Sequence, residues 1–225
     1  MCGEASGKWL YGEKNKSRFL MLNNAIDAVS YIYDLSKREE MRRHLGLADE
    51  LVIGHVGRFN PQKNHSFLID IFAALLKKES NAVLLLVGGG EGMSKMQEKA
   101  QELGIAEHVR FLGVRSDVAD LMQAMDAFVF PSLYEGLPVT MVEAQAAGLP
   151  CIISDKVPTE CILTEGLVDI MPLSASPEAW AEKILSKRAT HRTDRRAEIV
   201  AHGFDITTEA VKLQEFYLNA YEQNC

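Results

Sequence analysis

Residues 131–150 read Pro131-Ser-Leu-Tyr-Glu135-Gly-Leu-Pro138-Val-Thr-Met-Val-Glu143-Ala-Gln-Ala-Ala-Gly148-Leu-Pro150. The stretch follows one apolar run, Ala127-Phe-Val-Phe130, and leads into another, Pro150-Cys-Ile-Ile153. Short apolar runs bounded by Gly, Pro and Ser, with an amphipathic segment between them, spell strand, loop, helix, strand. Pro138 suits the first helical position, where a missing N–H costs nothing. Gly148 suits the residue just past the last turn. Two parallel strands joined through a helix are the repeating unit of a wound sheet.

The same alternation extends in both directions. Strands are expected at Leu51–Val56, Ala82–Val87, Val109–Leu112, Ala127–Phe130, Pro150–Ile153 and Val168–Met171. Asn64 is the expected N-cap of a helix whose Phe67, Leu68, Ile71, Phe72, Leu75 and Leu76 share one face. Met93, Met96, Ala100 and Leu103 form a second core stripe before Gly104. Further helices are expected at Asp117–Met125, Pro138–Ala147, Pro177–Lys187 and Thr207–Asn224. The first fifty residues offer a short helix-like piece around Trp9, a strand over Arg18–Leu22 and a helix near Asp34–Leu45, too little for a second α/β domain. The fold class is therefore α/β: a single Rossmann-like domain with a parallel sheet of about six strands flanked by helices.

At 225 residues and 47% hydrophobic content the chain can bury one sizeable core. A net charge of −7 excludes a broad nucleic-acid binder, which needs clustered cations. The run Lys37, Arg38, Arg42, Arg43 reads as a solvated helix face. Cysteines 2, 151, 161 and 225 lack zinc-ligand spacing and are expected to be reduced structural thiols, and no metal site is expected. His55 and His65 are read as structural. No apolar run approaches the roughly 20 residues that cross a bilayer, and the N-terminus lacks a signal-peptide pattern, so a cytoplasmic protein is expected. Gly88-Gly-Gly-Glu91-Gly-Met93 has Met where a dinucleotide fingerprint wants its third small residue, and Gly3 to Lys8 falls one residue short of a P-loop. No cofactor is expected.

In open α/β sheets ligands bind beyond the carboxyl ends of the strands. Three loops at those ends carry unusual residues: Gly57-Arg58-Phe59-Asn60-Pro61-Gln62-Lys63, Gly88-Gly-Gly-Glu-Gly92, and Pro131 to Pro138. Amides around Gly136, Leu137 and Val139 lie at a positive helix end, a ready anion site. With Arg58 and Lys63 added, the donors suit a diphosphate. Glu143 is assigned to ribose hydroxyls and Glu135 to a transferred sugar, because carboxylates beside phosphates are repulsive unless they accept from neutral hydroxyls. Spacing alone leaves both open to being solvated glutamates, and Arg58 and Lys63 to being surface charges. The Gly88–Gly90 run is either a tight turn or a close backbone approach to a ligand.

Gly57-Arg58 with Lys63, Gly88-Gly-Gly-Glu91, Val109-Arg-Phe-Leu-Gly113 and above all Glu135-x7-Glu143 resemble, in this order, the C-terminal domain of family 4 retaining glycosyltransferases. The resemblance covers about Phe19 to Lys187. It implies one half of a fold in which two Rossmann-like domains face each other across a cleft (GT-B). Arg58 and Lys63 would bind the donor diphosphate and support departure of the leaving group, Glu143 the ribose and Glu135 the sugar. Gly57, Gly88, Gly136, Leu137, Val139 and Thr140 would lie along the donor, and backbone near Leu112 against the nucleobase. The loop Ser154-Asp-Lys-Val-Pro-Thr-Glu160 departs from the family in lacking a glycine pair.

The resemblance further implies residues 1–17 as the end of an N-terminal domain, 18–190 as the donor domain, and 191–225 as a linker and bracing helix. Val211, Leu213, Phe216 and Tyr217 of that helix are expected to pack on this domain, the alternative being partial exposure where the helix braces the absent one. The implied partners are a nucleotide-diphosphate sugar, UDP-linked above others, and a sugar, glycan or lipid-linked acceptor held by the absent domain. Surface-polysaccharide assembly and, for the full-length protein, a peripheral position at the inner membrane face go with it. Alone, the chain is expected to transfer no sugar. The rivals are a sugar-nucleotide epimerase of the same architecture and a non-catalytic nucleotide-binding subunit of a split transferase.

Overall fold

The computed structural model describes residue 12 and residues 22–222. In chain order the elements are α1 (Ala28–Tyr31), α2 (Leu35–His44), β1 (Leu51–Val56), α3 (His65–Leu76), β2 (Ala82–Val87), α4 (Met93–Glu102), β3 (Val109–Gly113), α5 (Val118–Ala124), β4 (Ala127–Phe130), α6 (Val139–Ala146), β5 (Cys151–Ser154), β6 (Val168–Met171), α7 (Pro177–Ser186), α8 (Arg196–Ala201) and α9 (Ile206–Glu222). The strands form one six-stranded sheet in the order β3-β2-β1-β4-β5-β6, parallel throughout. This is the doubly wound order, and its direction of winding reverses between β1 and β4. In folds of this order the ligand crevice lies at the carboxyl edge, beside the loops that leave those two strands.

Both sheet faces are buried, so successive strand residues serve opposite cores. Leu51 and Ile53 join α3 and α7 in one cluster, whose largest buried side chain is Trp180. Val52 joins Phe128, Phe130, α5 and α6 in the other. A third cluster ties Ile26 and Ala28 to Val142, Ala146, Ile199 and Phe204, docking α1 and α8 onto α6. Cys151 and Cys161 are free and buried, and burial pushes the Cys161 thiol up to about 12, which makes it inert. Among the described residues no helix is long and apolar enough to cross a membrane.

The basic run on α2 is only half solvated. Lys37 and Arg43 are exposed, but Arg42 is 8% exposed. Arg38 Nη1 donates to the carbonyls of Gln123, Ala124 and Met125 at 3.1, 3.3 and 2.9 Å, and Arg42 Nη1 to Ala124 at 3.1 Å. Arg192 adds bonds to Gln123 and Met125 at 2.9 and 3.0 Å. Three guanidinium groups thus satisfy the orphan carbonyls at the carboxyl end of α5, where cations are favoured. Asp126 accepts from Arg38 at 2.6 Å and from the amide of Val52 at 2.7 Å, tying the clamp to β1.

Local chemistry corrects several expectations. Asn64 does precede α3, but in the left-handed region at φ 54°, and its side chain donates to Pro131 O at 3.1 Å instead of capping the helix. Pro138 is the N-cap, and helical geometry begins at Val139. Leu103 is 45% exposed: it follows the last turn of α4, so its side chain leaves the apolar stripe. On α9, Val211, Phe216 and Tyr217 are 51%, 47% and 64% exposed and do not pack on this domain. The helix-like piece around Trp9 and the strand at Arg18–Leu22 fall outside the described residues, except Leu22, which belongs to no strand.

Candidate functional site

Backbone bonds lace the first two loops together at the carboxyl edge. Gly57 N donates to Val87 O at 2.9 Å, Phe59 N to Gly89 O at 2.8 Å, and Gly88 N to Gly113 O at 2.8 Å. Gly88 and Gly90 have φ of 138° and 144°, and a Cβ on either would strike backbone of Gly57 or Phe59. The glycine run is therefore a close backbone approach, made to the protein's own neighbouring loop.

The third loop is fastened to the first by backbone and side chains together. Leu133 N donates to Gln62 O at 2.8 Å, and Gln62 Nε2 donates to Tyr134 O at 3.1 Å and to Glu135 Oε2 at 3.0 Å. Lys63 Nζ meets Glu135 Oε1 at 2.7 Å, with side chains 15% and 5% exposed, and also sits 4.6 Å from the Phe130 ring centroid. Lys63 and Glu135, assigned from sequence to different parts of a ligand, hold each other. Arg58 is exposed and forms no ion pair among the described residues.

Arg58 lines a cavity of about 550 Å³ with Gly57, Gly88 to Gly90 and Arg115. Next to it, sharing Val118, lies a cavity of about 650 Å³ lined by Glu143, Val139, Tyr31, Lys37 and Asp117. Arg115 and Asp117 form a bidentate pair at 2.8 and 2.5 Å on the wall between the two. Glu143 accepts from Tyr31 Oη at 2.8 Å; burial pushes its carboxyl up and the phenol opposes that shift. Val139 and Thr140 open α6, which has no side-chain N-cap, so its first amides remain available for an anion.

Of the other residues named from sequence, Gly136 is exposed, with nothing within 4 Å of the point where a Cβ would stand. Leu137 packs on two clusters, and Leu112 packs on the α5–α6 side of the sheet. Tyr31, Lys37, Gln62, Arg115 and Asp117 were missed. Gln62 stood within the quoted Arg58–Lys63 loop; the other four carry no local signal.

Beneath Lys63 lie two buried imidazoles. His65 stacks on Phe59 at 4.1 Å between centroids and meets His55 edge-on at 4.7 Å. His55 Nδ1 is bonded to Val129 O at 2.9 Å. Burial, then the charge of Lys63, lowers the His65 pKa from 6.5 to about 4. Between those values the unfolded chain binds a proton that the folded one refuses, so stability rises with pH through this window and is lost on acidification from about 6.5 through about 4. His55, also depressed by burial, acts in the same sense. His65→Phe is expected to flatten the dependence of the urea midpoint on pH over this range. An unchanged slope would refute it.

Comparison with known proteins shows what the chain as a whole is similar to. The family described as "Glycosyl transferases group 1" matches residues 36–198. A putative glycosyltransferase, EpsF, of Bacillus subtilis (strain 168) is 40% identical over 222 residues, covering 96% of this chain and 58% of that protein. An Escherichia coli protein named UDP-Gal:alpha-D-GlcNAc-diphosphoundecaprenol alpha-1,3-galactosyltransferase is 26% identical over 88% of this chain and 54% of its own length. The crystal structure of Anabaena Alr3699/HepE in complex with UDP and glucose superposes with a TM-score of 0.75 at 25% identity, covering 88% of this chain and 56% of that one. The chain thus spans little more than half the length of these relatives.

Proposed function

Because the chain belongs to the glycosyl transferases group 1 family, we propose that it is the donor-binding half of a retaining transferase that moves a hexosyl group from a nucleotide-diphosphate sugar to a glycan or lipid-linked acceptor. The observation that carries this reading is that the exposed Arg58, the Lys63–Glu135 pair and the uncapped start of α6 all lie on the segments that leave β1 and β4, the two strands between which the strand order reverses. Relatives named for UDP-Gal and solved with UDP and glucose favour a uridine donor.

In this proposal Glu143 accepts from the ribose, and Glu135 from the sugar. The bond between the anomeric carbon and the diphosphate oxygen breaks with its electron pair passing to the diphosphate. The growing negative charge there meets Arg58, Lys63 and the amides of α6, preorganised donors that need no rearrangement during the reaction. The acceptor oxygen enters on the face the diphosphate leaves. The exposed Phe216 and Tyr217 of α9 support a bracing role against an acceptor-binding lobe, with residues 18–190 as the donor domain.

Calorimetric titration of the chain with UDP, GDP and ADP tests this. One nucleotide is expected to bind, and Arg58→Ala to weaken it at least tenfold, the value of one charge-assisted hydrogen bond of about 1.5 kcal/mol or more. Failure of all three at millimolar concentration, or an indifferent Arg58→Ala, would sink the reading.

A further inference from the structure

Glu143 is already engaged before any ligand arrives. Its Oε1 accepts from Tyr31 Oη at 2.8 Å, across 112 positions of sequence. Its Oε2 has no hydrogen-bond partner among the described residues, yet it is not one of the sealed, unpartnered atoms. One carboxylate oxygen is pinned, and the other is left for the cavity.

Tyr31 is itself firmly placed. It is the last residue of α1, whose first turn is capped by Asp27 accepting from Val29 N at 3.2 Å. Its carbonyl accepts from the buried Gln123 Nε2 at 3.2 Å, and its ring packs on two core clusters. Asp27, Lys37, Asp117 and Asp120 line the same cavity, so Glu143 sits among three further carboxylates and a single lysine. Burial, then the charge of Glu143, raises the phenol's pKa, which keeps it a protonated donor near neutral pH.

We infer that Tyr31 is a positioning residue for ribose recognition: its phenol fixes the Glu143 carboxylate so that Oε2 accepts a hydrogen bond from a 2′- or 3′-hydroxyl. The inference rests on the proposed ribose role of Glu143. A glutamate side chain loses rotational freedom when it binds; one already tethered through a rigid aromatic ring loses less, and the saving appears as affinity.

The test titrates wild type and Tyr31→Phe with whichever of UDP, GDP and ADP binds most tightly, and with its 2′-deoxy and 3′-deoxy forms. Wild type is expected to bind one deoxy form at least tenfold more weakly. Tyr31→Phe, which keeps the ring and its packing, is expected to bind the ribonucleotide about tenfold more weakly and that deoxy form as wild type does. A purely structural role would weaken all three nucleotides alike. Equal weakening, no change, or tighter binding therefore overturns the inference while leaving the Glu143 reading intact. A wild type that ignores both deoxy substitutions overturns the Glu143 reading and the inference with it. Absence of any nucleotide binding overturns the donor site as a whole.

Discussion

Gly88→Ala is expected to cost about 4 kcal/mol of stability and to abolish nucleotide binding, because a methyl group there has nowhere to go. Gly88 holds φ at 138°, and its Cβ would lie 2.1 Å from Gly57 O and 2.8 Å from Gly57 C. Both are backbone atoms, and Gly57 is fixed in turn by its bond to Val87 O. Relief means separating the first two loops, which breaks the approach that shapes the crevice. The figure combines about 2 kcal/mol of backbone strain with about 2 of overpacking. Gly136→Ala is the control: no neighbour lies within 4 Å and its φ is ordinary, so its effect should stay within about 0.5 kcal/mol. Urea unfolding measures both. A loss below about 1 kcal/mol for Gly88→Ala would show that the loops yield readily and that their contact does not set the site.

Most of the sheet was legible because its central strands are buried on both faces and so appear as largely apolar runs; β1, β2 and β4 begin and end where the runs do. The loops were legible for a related reason. Gly and Pro collect beside Arg, Lys and Glu in the loops after β1 and β4, and the doubly wound topology brings those strand ends to one edge.

What escaped was chemistry decided by a distant partner. Arg38 and Arg42 stand four apart among glutamates, the pattern of a solvated face, yet Arg42 is drawn inside by the carbonyls of Ala48 and Glu50 in the following loop and of Ala124 in α5, more than eighty residues away. Tyr31 was unreadable for the same reason: nothing near it announces a contact with Glu143. Asn64 was found by position, yet its side chain spans to Pro131, a use that no capping rule encodes. The exposed apolar face of α9 was left between two readings, and the favoured one failed, because amphipathic spacing identifies a face that seeks cover without saying which surface provides it.

Lys63 separates holding the fold from holding the ligand. Lys63→Met should remove about 3 kcal/mol of stability, since Glu135 would keep a charge that is 5% exposed with only the Gln62 amide to answer it. Adding Glu135→Gln removes that charge, and a neutral pair of similar volume is expected to bring stability back to within about 1 kcal/mol of wild type. Affinity should not follow. The cation that would meet the diphosphate is still gone, so nucleotide binding should remain at least tenfold weaker in both the single and the double variant. Urea unfolding and calorimetry on the same three proteins read the two effects independently. A double variant that regains affinity along with stability would make Lys63 a purely structural partner of Glu135. One that regains neither would show that the loss comes from packing on Phe130, where the lysine also rests, and not from the broken pair.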